Sequence, residues 1–129
     1  MKRVIGLGGI FFKAVDPEKL GAWYKKHLGL NVDEWGATFR DSEEAGQEPK
    51  REAYIIWSPF SADTKYFEPS SKPFMINFRV EELAALLATL KSEGVEVDEK
   101  VEDSELGKFG WIMDPEGNRV ELWEPPLAG

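Results

Sequence analysis

Apolar and polar positions change period several times along the chain, and each change marks an element. Val4 to Val15 is rich in strand-forming residues, Ile10, Phe11 and Phe12 among them, and predicts a first strand. Asp16-Pro17-Glu18 then starts a helix. Asp accepts a free N–H at the cap, Pro needs no donor at the first position, and Glu18 suits the positive end of the dipole. Leu20, Trp23, Tyr24 and Leu28 recur at helical spacing, which assigns Trp23 to the core, and Gly29 closes the helix. Leu30 to Val32, Ala37 to Arg40 and Ala53 to Trp57 predict three more strands. The polar stretch Asp41 to Arg51 between the last two reads as a mobile loop.

The second half runs the same way. After a long mixed connection, Phe60 to Lys72, Phe74 to Val80 predicts a strand. Leu83, Leu86, Leu87 and Leu90 mark an amphipathic helix closed by Gly94. Val95 to Val101, Phe109 to Met113 and Arg119 to Trp123 predict the last three strands, the final pair joined by the turn residues Asp114-Pro115-Glu116-Gly117-Asn118. The order strand, helix, three strands is thus given twice. Ile10, Phe12 and Lys13 recur as Ile76, Phe78 and Arg79, and Trp57 and Pro59 as Trp123 and Pro125, all 66 positions on. Gly29 to Glu34 answers Gly94 to Glu99 at a spacing of 65. A shared spacing across separate elements indicates an internal repeat. The expected division is a first module over about 1–59, a linker over about 60–72 and a second module over about 73–126.

At 129 residues the chain suits one domain with a substantial core. The net charge of −8 would repel a phosphate backbone or an anionic membrane, so neither nucleic acid nor membrane is an expected partner. No apolar run is long enough to span a bilayer. Gly6, Gly8, Gly9 and Lys13 break the first apolar stretch, so a secretory signal is not expected, and a cytoplasmic location is. Without cysteine there is no thiol nucleophile, disulfide or thiolate metal site.

Val15-Asp16, Trp23-Tyr24 and Leu28-Gly29-Leu30 stand at the spacing of the D-x₆-F-Y-x₃-L-G-[LM] opening of the glyoxalase, bleomycin-resistance and extradiol-dioxygenase superfamily, also called vicinal oxygen chelate. Asp114-Pro115-Glu116-Gly117-Asn118-Arg119-Val120-Glu121-Leu122 is similar to its D-P-[DE]-G-[NY]-x-[IV]-E-[LF] close. The resemblance covers nearly the whole chain. It implies an α+β fold of two tandem β-α-β-β-β modules in a cupped mixed sheet, often a homodimer, with a small-molecule ligand inside the cup. Metal-dependent members place ligands at four positions that read here as Gly9, Ile55, Met75 and Glu121. Of these only Glu121 is suited to a hard cation, and the one histidine, His27, falls on the first helix. No metal or other cofactor is therefore expected, and metal-dependent glyoxalase or dioxygenase activity goes with it.

Alternation along the strands puts Gly9, Phe11 and Lys13, Met75, Asn77 and Arg79, Ile55 and Trp57, and Arg119, Glu121 and Trp123 on the concave face. Glu121 is the candidate general base, raised in pKa by Trp111, Trp123 and Met75, or else the partner of Lys13, Arg79 or Arg119 in a structural ion pair. Lys13 and Arg79 stand at repeat-related sites. The resemblance implies a carboxylate partner at the first of them, whereas a purely solvated charge is the plain alternative. Trp57, Trp111 and Trp123 are candidates to stack on a flat ligand or simply to pack, and Asn77 to hydrogen-bond a ligand or the backbone. Three functions remain open. One is metal-free binding of a small aromatic or carboxylated molecule. The others are a metal-independent lyase or isomerase with Glu121 as base, and a non-catalytic dimeric interaction domain.

Overall fold

The helix that follows the first strand forms where its capping signals stand. In the computed structural model, which describes residues 2–40 and 54–127, Asp16 Oδ1 accepts from the Lys19 N–H at 3.0 Å. Gly29 ends the helix with φ of 70°, a left-handed conformation that favours glycine. The elements in chain order are β1 (Val4–Ala14), α1 (Pro17–Leu28), β2 (Val32–Asp33), β3 (Gly36–Arg40), β4 (Tyr54–Ser61), β5 (Phe74–Val80), α2 (Leu83–Ser92), β6 (Glu96–Ser104), β7 (Gly107–Met113) and β8 (Arg119–Glu124). The stretch Asp41 to Arg51 lies outside the described residues.

One mixed eight-stranded sheet runs β2-β3-β4-β1-β5-β8-β7-β6. Its two halves join through antiparallel β1 and β5, with the repeat-related pair Ile10 and Ile76 directly opposed. Around that pair, Gly9 faces Asn77 and Phe11 faces Met75, as an approximate two-fold axis requires. In each half the first and last strands are parallel, β1 with β4 and β5 with β8. The fold is α+β, two repeat-related halves sharing one cupped mixed sheet, as the sequence resemblance led us to expect.

Both helices pack on the convex face. Leu83, Leu86 and Leu87 of α2 bury against Val80 and Leu122, with Phe78, Val97, Ile112 and Val120 around them. The N-terminus of α2 has no cap from Glu82. The Leu83 N–H instead donates to Glu124 Oε1 of β8 at 2.8 Å, so the sheet caps the helix. On α1, the Tyr24 ring packs at a tilt against Trp57 of β4 with centroids 4.5 Å apart. Trp23, expected in the core, is half exposed and lies against Tyr24 and His27. The helical spacing placed it beside the buried face, but a short helix over an open sheet buries only the innermost part of its apolar stripe.

Two elements are longer than their sequence signals. β4 continues to Ser61 through Pro59, opposite Phe12 of β1. β6 continues to Ser104 through a run of acidic residues that is exposed at the sheet edge, where charge is a usual guard against pairing with another chain. Replacing Leu86 by Ala removes a side chain 3% exposed in the α2 core. It is expected to lower unfolding free energy by about 2–5 kcal/mol in urea titration.

Candidate ligand-binding cup

The concave face encloses a cavity of about 430 Å³. Its lining includes Gly8 and Phe11 of β1, Tyr54, Ile56, Ser58 and Phe60 of β4, Asn77 of β5, Phe109 of β7, and Glu121 and Trp123 of β8. β2 and β3 add Asp33, Thr38 and Arg40. Trp35, Tyr66 and Leu106 reach in from connections. Alternation makes this wall: cup-facing Asn77, Phe109 and Glu121 are flanked by Phe78, Gly110 and Leu122, which face α2.

Glu121 is 1% exposed. Oε1 accepts from Asn77 Nδ2 at 2.6 Å, and Oε2 accepts from the Tyr66 hydroxyl at 2.5 Å and from Trp111 Nε1 at 2.9 Å. Two of these donors are fixed by strand register, since Asn77 is the partner of Glu121 on β5 and Trp111 its partner on β7. The third comes from the β4–β5 connection, where Arg119 donates to the Tyr66 carbonyl and Phe67 is fully buried beside Met75 and Trp111. Burial pushes the Glu121 carboxyl above its ordinary value, with the hydrogen bonds from Tyr66, Asn77 and Trp111 and the Arg119 charge opposing. Burial also raises the Tyr66 phenol, and the charge of Glu121 adds to the effect, so Tyr66 is held as a donor.

Neutral donors thus surround Glu121 in place of the ion pair considered from sequence. Arg119 lies with its guanidinium 4.9 Å from the Trp111 ring centroid and bonds Asp98 at 3.2 Å. Arg79 turns to the β1 backbone, donating from Nε to the Leu7 carbonyl at 3.2 Å. Lys13 lies in a separate groove with Asp16, Lys19 and Trp23. Neither Lys13 nor Arg79 lines the cup. Asn77 and Trp123 do, and Trp111 stands behind Glu121, in the core with Phe11, Phe67 and Met75.

The expected face of β4 is reversed. Trp57 packs on the helix side against Tyr24 and Phe12, while Ile56 and Ser58 line the cup. Ile10 faces Trp57, whereas its counterpart Ile76 faces Val120, the counterpart of Tyr54, so β4 is slid three residues relative to β8. An odd slip exchanges the faces of a strand. On β4 the cup therefore takes Ile56 in place of Ile55, and with Glu121 the lining includes Gly8 and Asn77, whereas Gly9 and Met75 do not line the cavity. Met75 does face the concave side but is fully buried under Phe67 and Trp111. On β1 the register shifts between Leu7 and Gly9, and a Cβ built on Gly8 would stand 2.0 Å from Asn77 Oδ1.

These donors do not fit a divalent metal. Glu121 is one carboxylate whose oxygens already accept three hydrogen bonds, and Gly8 and Ile56 offer no ligating atom. Among the described residues no three His, Cys, Asp or Glu side chains are grouped to hold an ion.

Tyr66, Trp35 and Tyr54 are cup residues that strand alternation could not supply. Trp35 and Tyr66 sit on connections without periodicity, and Tyr54 belongs to the inverted face of β4. The length of the Phe60 to Lys72 connection was the one available signal for Tyr66.

Residues 9–123 match the family model described as glyoxalase-like domain. Comparison with curated proteins gives no match. Among solved structures, methylmalonyl-CoA epimerase from Mycobacterium tuberculosis is similar at 22% identity over 98% of this chain and 91% of that one, with a TM-score of 0.63. A Streptomyces coelicolor methylmalonyl-CoA epimerase variant bound to 2-nitronate-propionyl-CoA has a TM-score of 0.67 at 14% identity, covering 95% and 98% of the two chains. A glyoxalase/bleomycin resistance protein/dioxygenase superfamily member from Vibrio splendidus 12B01 has a TM-score of 0.56 at 10% identity, covering 92% and 98%. At these identities the likeness is one of fold.

Because the folded state raises the Glu121 carboxyl, its contribution to stability is whole below the ordinary value of 4.5 and declines as pH rises through the raised one. Glu121→Gln does not titrate. Urea titrations across this range are expected to show the variant gaining on the parent as pH rises, then levelling. A difference that stays flat, or runs the other way, would contradict a burial-raised carboxyl.

Proposed function

We propose that this chain, which belongs to the glyoxalase-like domain family, holds a small planar aromatic molecule in its cup without a metal ion. The aromatic lining carries this reading: Phe11, Tyr54, Phe60, Phe109 and Trp123 present ring surface to a cavity of about 430 Å³. That volume is within the usual range for small-molecule sites, and apolar walls with few polar atoms are their usual composition. Sequestration of such a molecule is the activity that needs nothing more than this cup.

The carboxylated alternative loses its sequence-proposed partners, because Lys13 and Arg79 lie off the lining. Proton abstraction by Glu121 is also less well supported than binding. Its oxygens already accept three hydrogen bonds, and at 1% exposure it offers little access to a carbon acid. Methylmalonyl-CoA epimerases share the fold at 22% identity or less, so their substrate does not identify the ligand of this cup.

Trp35 gives the cleanest test of the cup. It lines the cavity yet is 70% exposed, so removing it leaves the core intact. Saturable quenching of tryptophan fluorescence is expected with planar aromatic compounds. Trp35→Ala should weaken that binding about three- to thirtyfold, the range of one stacking contact, and change unfolding free energy by no more than about 0.5 kcal/mol. Silence across a broad panel of planar compounds would count against the cup as a binding site.

A homodimer and a cytoplasmic location belong to the same proposal. Val15, Trp23 and Leu28 on and beside α1 are exposed apolar residues that a second copy would cover. Sedimentation velocity at micromolar concentration should return twice the chain mass of 14.6 kDa; a monomer there removes the dimer.

A further inference from the structure

If the cup takes an aromatic ligand, as proposed above, the polar atoms left over on its wall decide the charge that ligand carries. Donors are used up. The Tyr66 hydroxyl, Trp111 Nε1 and Asn77 Nδ2 all point at Glu121, and Trp123 Nε1 donates to the Leu106 carbonyl at 2.8 Å. An acceptor beside them is left over. Asn77 is 2% exposed, and its Oδ1 is buried with no hydrogen-bond partner among the described residues. That atom lies in the notch left by the missing side chain of Gly8, which also lines the cup. A buried acceptor without a donor is costly and is unusual in folded proteins. Glu121 uses three of the roughly four acceptor positions of a carboxylate.

The charges lean the same way. Of the acidic and basic side chains on the lining among the described residues, Asp33 and Glu121 are acidic and Arg40 is basic. The Arg40 guanidinium already lies over the Tyr54 ring, 4.8 Å from its centroid. Much of the remaining wall is aromatic, with Phe11, Phe60, Phe109 and Trp123 on it, and the face of an aromatic ring attracts a cation and not an anion. The net charge of −8 adds a long-range field of the same sign.

We propose that the cup selects planar aromatic cations, protonated aromatic or benzylic amines, over aromatic carboxylates. The ring lies between aromatic walls, and the ammonium group supplies donors toward Glu121 and Asn77.

Three probes with one ring system test this by fluorescence titration at neutral pH and low salt: naphthylmethylammonium, naphthalenemethanol and naphthoate. The ammonium is expected to bind about tenfold or more tightly than the carboxylate, with the alcohol between them. Glu121→Gln should weaken the ammonium about tenfold and the alcohol less than about twofold. Asp33→Asn, at an exposed position where the amide oxygen keeps the acceptor for the Trp35 N–H, should weaken the ammonium about two- to threefold. Naphthoate binding as tightly as the ammonium would overturn the cation preference and leave the aromatic cup standing. An equal effect of Glu121→Gln on ammonium and alcohol would also overturn it. No binding of any of the three would fail the underlying aromatic reading itself.

Discussion

A carboxylate taken out of water costs several kcal/mol unless its oxygens are met by donors, and that demand at Glu121 organises the concave side of this protein. Asn77 and Trp111 meet it from the two strands that flank β8, so the β5–β8 and β7–β8 registers both converge on one side chain. Tyr66 meets it from the β4–β5 connection and ties that connection over the sheet. Phe67 then fills the end of the cup above Met75 and Trp111. Desolvation still outweighs the three bonds, since the carboxyl remains above its ordinary value.

The same arrangement bears on function. A metal site needs several free ligating atoms turned toward one point, whereas here donors surround Glu121, and Gly8, Ile56 and Asn77 stand with it on the wall. Aromatic rings make up much of the remaining surface. A ligand held there, as proposed, is selected by shape, by ring contact and by the sign of charge, and no reacting group is needed for that. Family membership supplies the scaffold, and the site must be argued from its own residues.

Much of the scaffold was legible in the chain. The repeat spacing anticipated that Ile10 and Ile76 would be equivalent, and they meet across the junction of the two halves. Capping by Asp16 and Gly29, and the apolar stripe of α2, fell where local chemistry put them. Glu121 and Trp123 were assigned to the concave face, as was Asn77, because one parity holds along each of β5 and β8. Parity failed at β4, where a three-residue slide turned Trp57 to the helix and Ile56 to the cup. Tyr66 and Trp35 carried no periodic signal at all.

What the sequence determined by itself was therefore local or repeated: helix ends, strand periods, the doubled order of elements, and the family to which the end motifs point. These depend on neighbours a few residues apart, or on two copies of one pattern. Register between strands far apart in the chain, and the seating of Tyr66 against Glu121 across 55 positions, were decided only in the tertiary structure. Both are set by how side chains pack and by which donor reaches a buried acceptor, and neither quantity has a period that a single strand can display.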